Sequence, residues 1–235
     1  MATMEAIFIG GPKALRDELG EWVSSIARTQ VFEPVSLTLG GLDGDKVMQP
    51  YHGGPDAAVC VHLVDHYNFW RDYYRMELPN GHLGENLVLD GIKEDEVCAG
   101  DILRIGTALV QVSGPRIPCE TQARRAGRKD WVKLTIHENR TGFYLRVLEA
   151  GTVQAGESWM MQERLNDEAS IPAINRCFYL EFDMDLANRF AEAPGLADWW
   201  REQFREKLAR TGKHWSEDIL HADEPPIQVS GNDVG

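Results

Sequence analysis

The sequence ALVQVSGPRIPC, residues 108–119, is the stretch around which the rest of the chain can be arranged. Its first five residues form an apolar run that is typical of a strand, and Pro115 and Pro118 follow closely. Each proline removes backbone freedom and one backbone donor. The pattern therefore predicts a strand that ends in a stiff turn and presents Cys119 beside Arg116. Because a thiol near a fixed positive charge ionises more easily than a free one, Cys119 is a candidate nucleophile or metal ligand.

The composition is that of an acidic globular protein. The chain has 235 residues, of which 43% are hydrophobic and 26% charged, and its formal net charge is −13. This length suits one large domain, or a domain of about 150 residues with a smaller appendage. Because the net negative charge repels polyanions, we expect neither a nucleic-acid polymer nor an anionic membrane surface as a partner.

The cysteine pattern and the absence of targeting signals predict a reduced, cytoplasmic protein. No apolar run is long enough to cross a bilayer, and the first residues do not form a basic-then-apolar signal sequence. The four cysteines, Cys60, Cys98, Cys119 and Cys177, form no C-x-x-C pair, which disfavours a zinc ribbon or a disulfide framework. Cys60 and Cys177 have apolar neighbours and are expected to be buried, whereas acidic neighbours are expected to raise the pKa of Cys98.

Short β runs separated by glycines occupy the first two thirds of the chain. They lie at residues 6–9, 35–39, 57–62, 87–89, 101–105, 108–112, 131–136, 142–148 and 156–161. Many short strands at close spacing predict a closed or nearly closed barrel, and residues 121–130 are expected to form a loop. One helix interrupts the strands, with Asp65 as its expected N-cap and Tyr67, Trp70 and Tyr74 on one packing stripe.

After residue 162 the pattern changes to helices. Ser170 is the expected cap of the first helix, and Asp183 or Asp185 is the expected start of the second. The third helix has an apolar stripe at i+4 spacing, formed by Leu196, Trp200, Phe204 and Leu208. Three helices of this length predict a small bundle.

Three glycine motifs are candidates for ligand binding. They are GLDGD at residues 41–45, HGGPD at residues 52–56 and GENL at residues 84–87. Such turns expose backbone N–H groups or let a ligand approach closely. His52 could carry a proton near neutral pH, and the side chains of Glu85 and Asn86 could read the edge of a heterocycle. Each motif is equally compatible with a structural turn.

The distribution of charge indicates a basic segment, and the spacing of histidines argues against a metal site. Between residues 116 and 146 there are eight basic and three acidic side chains, so this segment either binds a phosphate-bearing cofactor or is a solvated loop. We do not predict a metal site at His62, Asp65 and His66, because no further ligands follow at a zinc-like interval.

In their order along the chain, these motifs resemble the MOSC domain family. The residues that carry the resemblance are 41–45, 52–56, 84–87, RIPC at 116–119 and RTGFYLRV at 140–147. The similarity is greatest to the YiiM-type bacterial proteins, which have a further three-helix domain, and it runs from about residue 23 to residue 220. Residues 46–51 depart from the family pattern, because no glutamine stands at the position soon after the Gly44-Asp45 pair where relatives commonly have one, and the segment is one residue shorter.

The resemblance implies an α+β fold that is mainly β. A MOSC-type β-barrel domain would occupy residues 1–162, a C-terminal three-helix bundle residues 163–220, and a mobile tail residues 221–235. It also implies that the protein binds the molybdenum cofactor (molybdopterin), with Cys119 as the molybdenum ligand, and that it reduces N-hydroxylated bases or related compounds to amines. A thiolate suits a soft metal.

The matching motifs imply a set of site residues. Cys119, His52 and Glu85 are the expected catalytic residues, the last two as proton carriers. The expected cofactor-binding residues are Gly44, Asp45, Gly53, Gly54, Asp56, Asn86, Arg116, Arg140, Thr141 and Gly142.

The electron source must lie outside the chain, because the sequence has neither a nicotinamide motif nor an iron–sulfur cysteine array. We therefore expect a flavoprotein or ferredoxin-type electron donor as a partner, beside a small-molecule N-hydroxylated substrate. The C-terminal helices, with Trp199, Trp200 and Trp215, either dock that donor or pack against the barrel or a second subunit in a homodimer. The rival interpretation is a non-enzymatic carrier that holds molybdenum cofactor or sulfur on Cys119.

Overall fold

The computed structural model describes residues 2–48 and 53–210. The strands in these ranges are β1 (Thr3–Ile9), β2 (Lys13–Asp17), β3 (Gly20–Ser24), β4 (Thr29–Val31), β5 (Val35–Thr38), β6 (Gly41–Leu42), β7 (Val59–Leu63), β8 (Leu87–Asp90), β9 (Ile102–Ile105), β10 (Ala108–Pro115), β11 (Phe143–Glu149), β12 (Gly151–Val153) and β13 (Trp159–Glu163). The α-helices are α1 (Val64–Tyr74), α2 (Glu120–Ala126), α3 (Trp131–His137), α4 (Ile171–Asn175), α5 (Met184–Ala191) and α6 (Asp198–Ala209). There are also 3₁₀ turns at Pro55–Ala57 and Glu94–Glu96 and a π-helical turn at Arg176–Leu180.

Eight strands form one curled sheet in the order β13-β9-β10-β11-β7-β8-β1-β4. Within it β7 and β8 are parallel and are separated in the chain by α1. The start of β1 also bonds to the segment at the start of β13, where Met4 N donates to Glu157 O and Trp159 N to Ala2 O, each at 2.9 Å. Because β13 is one edge of the sheet and β1 lies beside the other, these bonds draw the sheet into a half-barrel. The expected α+β, mainly β fold is confirmed.

Side chains on β11 alternate between two environments, as its period-two sequence predicts. Phe143, Leu145 and Val147 lie in the apolar core inside the curl. Tyr144 and Arg146 are half-buried on the opposite face of the strand. The inner face of the sheet is therefore packed with apolar side chains, while its outer face is left for polar groups beneath the helices.

Two helical groups cover the outer face. The first consists of α1, α2 and α3, which share an apolar cluster that includes Tyr67, Trp70 and Trp131. The second consists of α4 to α6 and the π-helical turn, whose cluster includes Phe178 and Trp200. Polar side chains of the outer face are consequently shielded from water although they lie outside the half-barrel.

Helix α6 is tied to the end of β10. Trp200 Nε1 donates a hydrogen bond to Pro115 O at 3.0 Å, and Ala197 N donates to Ser113 O at 2.7 Å. Gly114 is needed for this approach, because its φ is +142° and a Cβ there would lie 2.8 Å from Trp200 Cδ1. The C-terminal helices thus fix the turn that leads into α2.

The predicted strand at residues 131–136 is wrong, because this segment is α3. Its β-branched residues favour a strand locally, but Trp131 packs against Trp70 with ring centroids 5.0 Å apart. The hydroxyl of Thr135 donates to Trp131 O at 2.9 Å, which satisfies it within the helix. Tertiary packing therefore overrides the local preference.

Two further local predictions need correction. Residues 121–130 are not a loop throughout, because α2 begins at Glu120 and ends where Gly127 adopts a left-handed conformation. Asp65 is not the N-cap of α1, since the helix begins at Val64 and Asp65 lies in its first turn. The capping roles of Ser170 and Asp183 are confirmed by their side-chain bonds to backbone N–H groups in α4 and α5.

The described part of the chain contains no helix with the length and apolar character that a bilayer span requires. The division of the chain at residue 162 stays a prediction. Residues 221–235, where a tail was expected, and Trp215 lie outside the described residues.

The contact between α6 and β10 predicts a specific stability effect. Trp200→Ala should destabilise the protein by about 3–5 kcal/mol, because it removes a fully buried indole and leaves a cavity. Trp199→Ala is the matched control, since Trp199 is only partly buried, and it should cost much less. Urea unfolding of both variants measures the difference, and equal losses would contradict the assigned role of Trp200.

Candidate functional site

Cys119 lies at the N-cap of α2, at the end of the stiff turn that follows β10. It is partly exposed, whereas Cys60, Cys98 and Cys177 are buried. Its backbone is fixed on both sides: its N–H donates to Gln122 Oε1 at 3.1 Å and its carbonyl oxygen accepts from Gln122 N at 3.0 Å. The structure therefore places the predicted thiol where a ligand can reach it, on a rigid support.

The neighbouring Arg116 is buried, with 8% of its surface exposed. Its backbone N–H donates to Gly142 O at 2.9 Å, and its Nη2 donates to Leu83 O at 2.8 Å. Within the described ranges its Nη1 has no hydrogen-bond partner and no carboxylate forms an ion pair with it. An unpaired buried N–H of a cation is costly, so this position suits an anionic group.

A row of side chains on the outer face of the sheet leads to Arg116. Tyr144 on β11 lies opposite Cys60 on β7 and opposite Gly114 on β10. The Arg116 guanidinium interacts electrostatically with Cys60, Tyr144 and Cys119. Burial raises the pKa of Cys60 to about 11, so this second thiol is neutral near neutral pH. Cys60 is buried as predicted, but its place beside the site was not evident from its apolar neighbours.

Asn86 joins β7 to β8 next to Cys60. Its Oδ1 accepts from Cys60 N at 3.0 Å, and its backbone N–H donates to Cys60 O at 2.8 Å. Its Nδ2 donates to Phe8 O at 3.4 Å. Both ends of the amide are thus engaged in bonds between strands, and these bonds position Cys60.

The predicted residue Asp45 forms a partly buried ion pair with Arg28. Arg28 Nε and Nη2 donate to its two oxygens at 2.7 and 2.8 Å, and Gly10 N donates to Oδ1 at 2.9 Å. Arg28 also donates to Gly84 O, and Gly44 adopts a positive φ of 85° in the adjoining turn. This pair joins the GLDGD turn to the GENL turn. No motif signalled Arg28, because its partners are distant in sequence.

Glu85 is fully buried in the GENL turn. Its Oε1 accepts from Tyr67 Oη at 2.5 Å and from Gly81 N at 2.7 Å. Its Oε2 has no partner among the described residues. Burial raises the pKa of Glu85 above its usual range, which favours the protonated acid that a proton carrier requires.

Of the HGGPD motif, His52 lies outside the described residues. Gly53 and Gly54 precede the 3₁₀ turn at Pro55–Ala57, and Gly54 has a φ of 102°. Asp56 Oδ1 accepts from Arg146 Nε at 2.8 Å, and its Oδ2 accepts from the Asp198 N–H at 3.3 Å. Asp56 therefore joins this motif to β11 and to the start of α6.

The RTG motif before β11 is also held by internal bonds. Arg140 donates to Asp65 on α1 and lies over the Phe69 ring, 4.2 Å from its centroid. Thr141 is buried and accepts from Asn175 Nδ2 at 2.8 Å. Gly142 requires its positive φ of 76°, because a Cβ there would lie 2.3 Å from Val61 O. These contacts direct Arg140 towards α1.

Three of the six arginines in the basic segment have carboxylate partners. Arg124 pairs with Asp17 at 2.6 Å, and Arg140 and Arg146 pair with Asp65 and Asp56. The carboxylates compensate the charges of these three arginines. The count of basic and acidic residues in the sequence therefore overstates the positive electrostatic potential of this segment. Arg116 is the residue whose charge remains directed at the thiol.

Of the predicted site residues, the structure brings together Cys119, Arg116 and Glu85, and adds Cys60 and Tyr144 to them. Direct contact of a cofactor with the remaining predicted residues stays a prediction: Gly44, Asp45, Gly53, Gly54, Asp56, Asn86, Arg140, Thr141 and Gly142. In the part of the chain that is described, no group of three or more His, Cys, Asp or Glu side chains is arranged to hold a metal ion.

Comparison with known proteins agrees with this geometry. The model of the MOSC domain matches residues 48–159, and YflK of Bacillus subtilis (strain 168) is 34% identical over 204 residues, which cover 86% of this chain and 92% of YflK. The chain belongs to the MOSC domain family. The crystal structure of YiiM from Geobacillus stearothermophilus is similar over 88% of this chain and 100% of YiiM, with a TM-score of 0.75 and 32% identity.

A third relative carries an activity in its name. A protein of Gibberella moniliformis (strain M3125 / FGSC 7600) called a reductase is 34% identical over 206 residues. The match covers 84% of this chain but 36% of that protein. This chain is thus similar to about a third of the fungal protein's length.

The different environments of the thiols predict an order of alkylation. With iodoacetamide near neutral pH, Cys119 should react first, because it is partly exposed. Burial raises the pKa of Cys60 and of Cys98 to about 11, so these thiols should react only slowly until the pH approaches that value. Peptide mass spectrometry measures the order, and Cys119→Ser should remove the fast phase. Fast labelling of Cys60 instead would contradict the described site.

Proposed function

We propose that this MOSC family member is a molybdenum cofactor-dependent oxidoreductase that reduces N-hydroxylated bases or related N-hydroxylated compounds to amines. The observation that carries the proposal is the partly exposed thiol of Cys119 beside a buried Arg116 whose Nη1 has no partner. Membership of the MOSC domain family and similarity to a protein named reductase support it.

The residues present fit such a cofactor. Cys119 would hold the molybdenum, since a thiolate is a suitable ligand for a soft metal. Arg116 would donate its free N–H to an anionic part of the cofactor, as guanidinium groups do with phosphate. When bound, the cofactor supplies the two-electron chemistry that removes oxygen from nitrogen, while the protein supplies binding and orientation.

The protein must also supply protons, because converting a hydroxylamine group to an amine and water consumes two electrons and two protons. Glu85 is suited to hold one of them at Oε2, since its Oε1 already accepts two hydrogen bonds and burial raises its pKa. His52 stays a second candidate from the sequence. The electrons are assigned to a flavoprotein or ferredoxin-type donor.

Replacement of the thiol tests the central assignment. Cys119→Ser, produced in a host that makes the cofactor, should lose bound molybdenum and lose reduction of N-hydroxylaminopurine or hydroxylamine without a change in fold. Cys177→Ser is the matched control, because Cys177 lies in the helical cluster and should keep both. Metal analysis and product assays measure these outcomes; full metal content and activity in Cys119→Ser would overturn the proposal.

The same assays distinguish the carrier alternative. A protein that binds the cofactor, reduces no N-hydroxylated compound with artificial electron donors, and passes intact cofactor to an apo-enzyme would be a carrier. Reduction by the purified protein would support the reductase.

Arg116→Gln should weaken cofactor retention by about 10- to 100-fold, because a hydrogen bond to a charged group contributes about 1.5–3 kcal/mol. Arg176→Gln is the control, since Arg176 at the start of the π-helical turn is exposed and pairs with Glu181. Cofactor content after dialysis measures the effect. Equal retention in both variants would remove Arg116 from the binding site.

A further inference from the structure

A second set of buried titratable groups lies beneath α1, and none of them has a role in the site described above. His62 on β7 and His66 on α1 are each 1% exposed, and Glu94 of the neighbouring 3₁₀ turn is 4% exposed. The Nδ1 atoms of the two histidines are 3.2 Å apart. His66 Nε2 lies 3.5 Å from Glu94 Oε2. The three side chains therefore lie next to one another in the order Glu94–His66–His62, which we call the Glu94–His66–His62 chain.

The protonation of the three side chains follows from their surroundings. Burial raises the pKa of Glu94 well above its usual value, which favours the protonated carboxyl group. Its Oε1 accepts from Gly142 N at 2.6 Å, which leaves the proton on Oε2, the oxygen that faces His66. Burial also lowers the pKa of His66 to about 3 and that of His62 well below its usual value. Both imidazoles are thus neutral.

Two neutral imidazoles that meet through Nδ1 must be complementary tautomers, because one has to donate and the other to accept. A proton on Glu94 Oε2 faces His66 Nε2 across 3.5 Å, and Oε2 has no hydrogen-bond partner within the described ranges. With Nε2 as the acceptor of that proton, His66 carries its own proton on Nδ1 and donates it to His62. His62 then carries its own proton on Nε2. That atom is buried and has no partner among the described residues.

His62, whose Nε2 has no partner in the described part of the chain, lies near the proposed site. His62 is on the outer face of β7, two residues after Cys60, and interacts electrostatically with Arg116. At the other end, Glu94 holds Gly142 N, and Gly142 O accepts from the backbone N–H of Arg116 at 2.9 Å. The same short segment therefore connects the carboxyl group to the anion-binding arginine.

We infer that Glu94, His66 and His62 form a buried proton relay that supplies a proton to the reduction at the Cys119 site. This inference rests on the proposed function, which requires two protons in each turnover.

The transfer balances without any further reactant. The proton on Glu94 Oε2 passes to His66 Nε2, the proton on His66 Nδ1 passes to His62 Nδ1, and the proton on His62 Nε2 leaves for the oxygen that separates from nitrogen. Glu94 becomes a carboxylate while both histidines stay neutral and exchange tautomers. A proton that returns to His62 Nε2 from the site starts the reverse shift, which reloads Glu94. The two electrons come from the redox partner, and the second proton is the one assigned above to Glu85 Oε2.

Nearby charged groups act on the protonation of the two imidazoles, some favouring and some opposing a positive charge. Arg140 and Asp65 face His66, where the arginine opposes a positive imidazole and the carboxylate favours one. Arg116 opposes a positive charge on His62, and Tyr67 contacts the His62 ring edge-on with centroids 6.0 Å apart. The two arginines therefore keep the imidazoles neutral during transfer, which a concerted shift requires.

The cofactor-free protein allows a direct test of the relay. Nitrogen chemical shifts should show His66 protonated at Nδ1 and His62 at Nε2. The infrared difference between the wild type and Glu94→Gln should contain the C=O band of a protonated carboxylic acid. Identical tautomers on the two rings, or a carboxylate band in the difference spectrum, would overturn the inference whether or not the protein is a reductase.

Turnover provides the second test. Glu94→Gln preserves the geometry, because its amide oxygen can accept from Gly142 N and its NH₂ can donate to His66 Nε2, but it has no transferable proton. It should keep the fold, the molybdenum content and KM while kcat falls by about 100-fold, the low end of the contribution of general acid–base catalysis. Glu96→Gln on the same 3₁₀ turn is the matched control and should keep full kcat.

The outcomes separate the relay from the proposed function. If the wild type reduces N-hydroxylated compounds and Glu94→Gln has a kcat within twofold of it, the relay is wrong and the reductase assignment stands. If the wild type reduces none of them, the proposed function fails, and with it the role of the relay in that reaction, while the tautomer and infrared measurements still decide whether the proton chain exists.

Discussion

Burial of the Arg116 guanidinium is the constraint on which the site depends. A cation held away from water must be satisfied by fixed dipoles or by a ligand. Leu83 O satisfies one edge of the group, and Gly142 O holds its backbone. The Arg28–Asp45 pair in turn fixes Gly84, which lies between Leu83 and Glu85. The GLDGD, GENL and RTG motifs, which are far apart in the chain, thus together hold the Arg116 guanidinium beside Cys119 and leave its Nη1 without a partner among the residues that the structure describes.

The period-two geometry of the sheet makes this arrangement compatible with a stable core. On β7, Val59, Val61 and Leu63 pack inside the half-barrel, while Cys60 and His62 face the helices. The polar layer therefore lies outside the apolar core and is still shielded from water by α1 and the C-terminal helices. Shielding has an electrostatic consequence: burial raises the pKa of Glu85 and Glu94 and lowers the pKa of His62 and His66, so it favours the neutral form of each group.

The C-terminal helices contribute to the same region in a direct way. Trp200 packs against Gly114 and bonds to Pro115 O, immediately before the turn that ends at Cys119. Asp56 accepts from the first N–H of α6 as well as from Arg146. The helices are thus part of the support of the site, in addition to any surface that they offer to an electron donor.

The sequence by itself determined most strands of the large sheet, the capped C-terminal helices and the place of Cys119 after a proline-stiffened strand end, because these follow from local periodicity and from the stiffness of proline. It did not predict that residues 131–136 would be helical, since packing of Trp131 on Trp70 decides that conformation. Nor did it reveal Arg28, Tyr144 or the Glu94–His66–His62 chain. Their partners are separated by many residues, so only the curled sheet and the helices above it bring these groups together, and burial within that layer sets their charge.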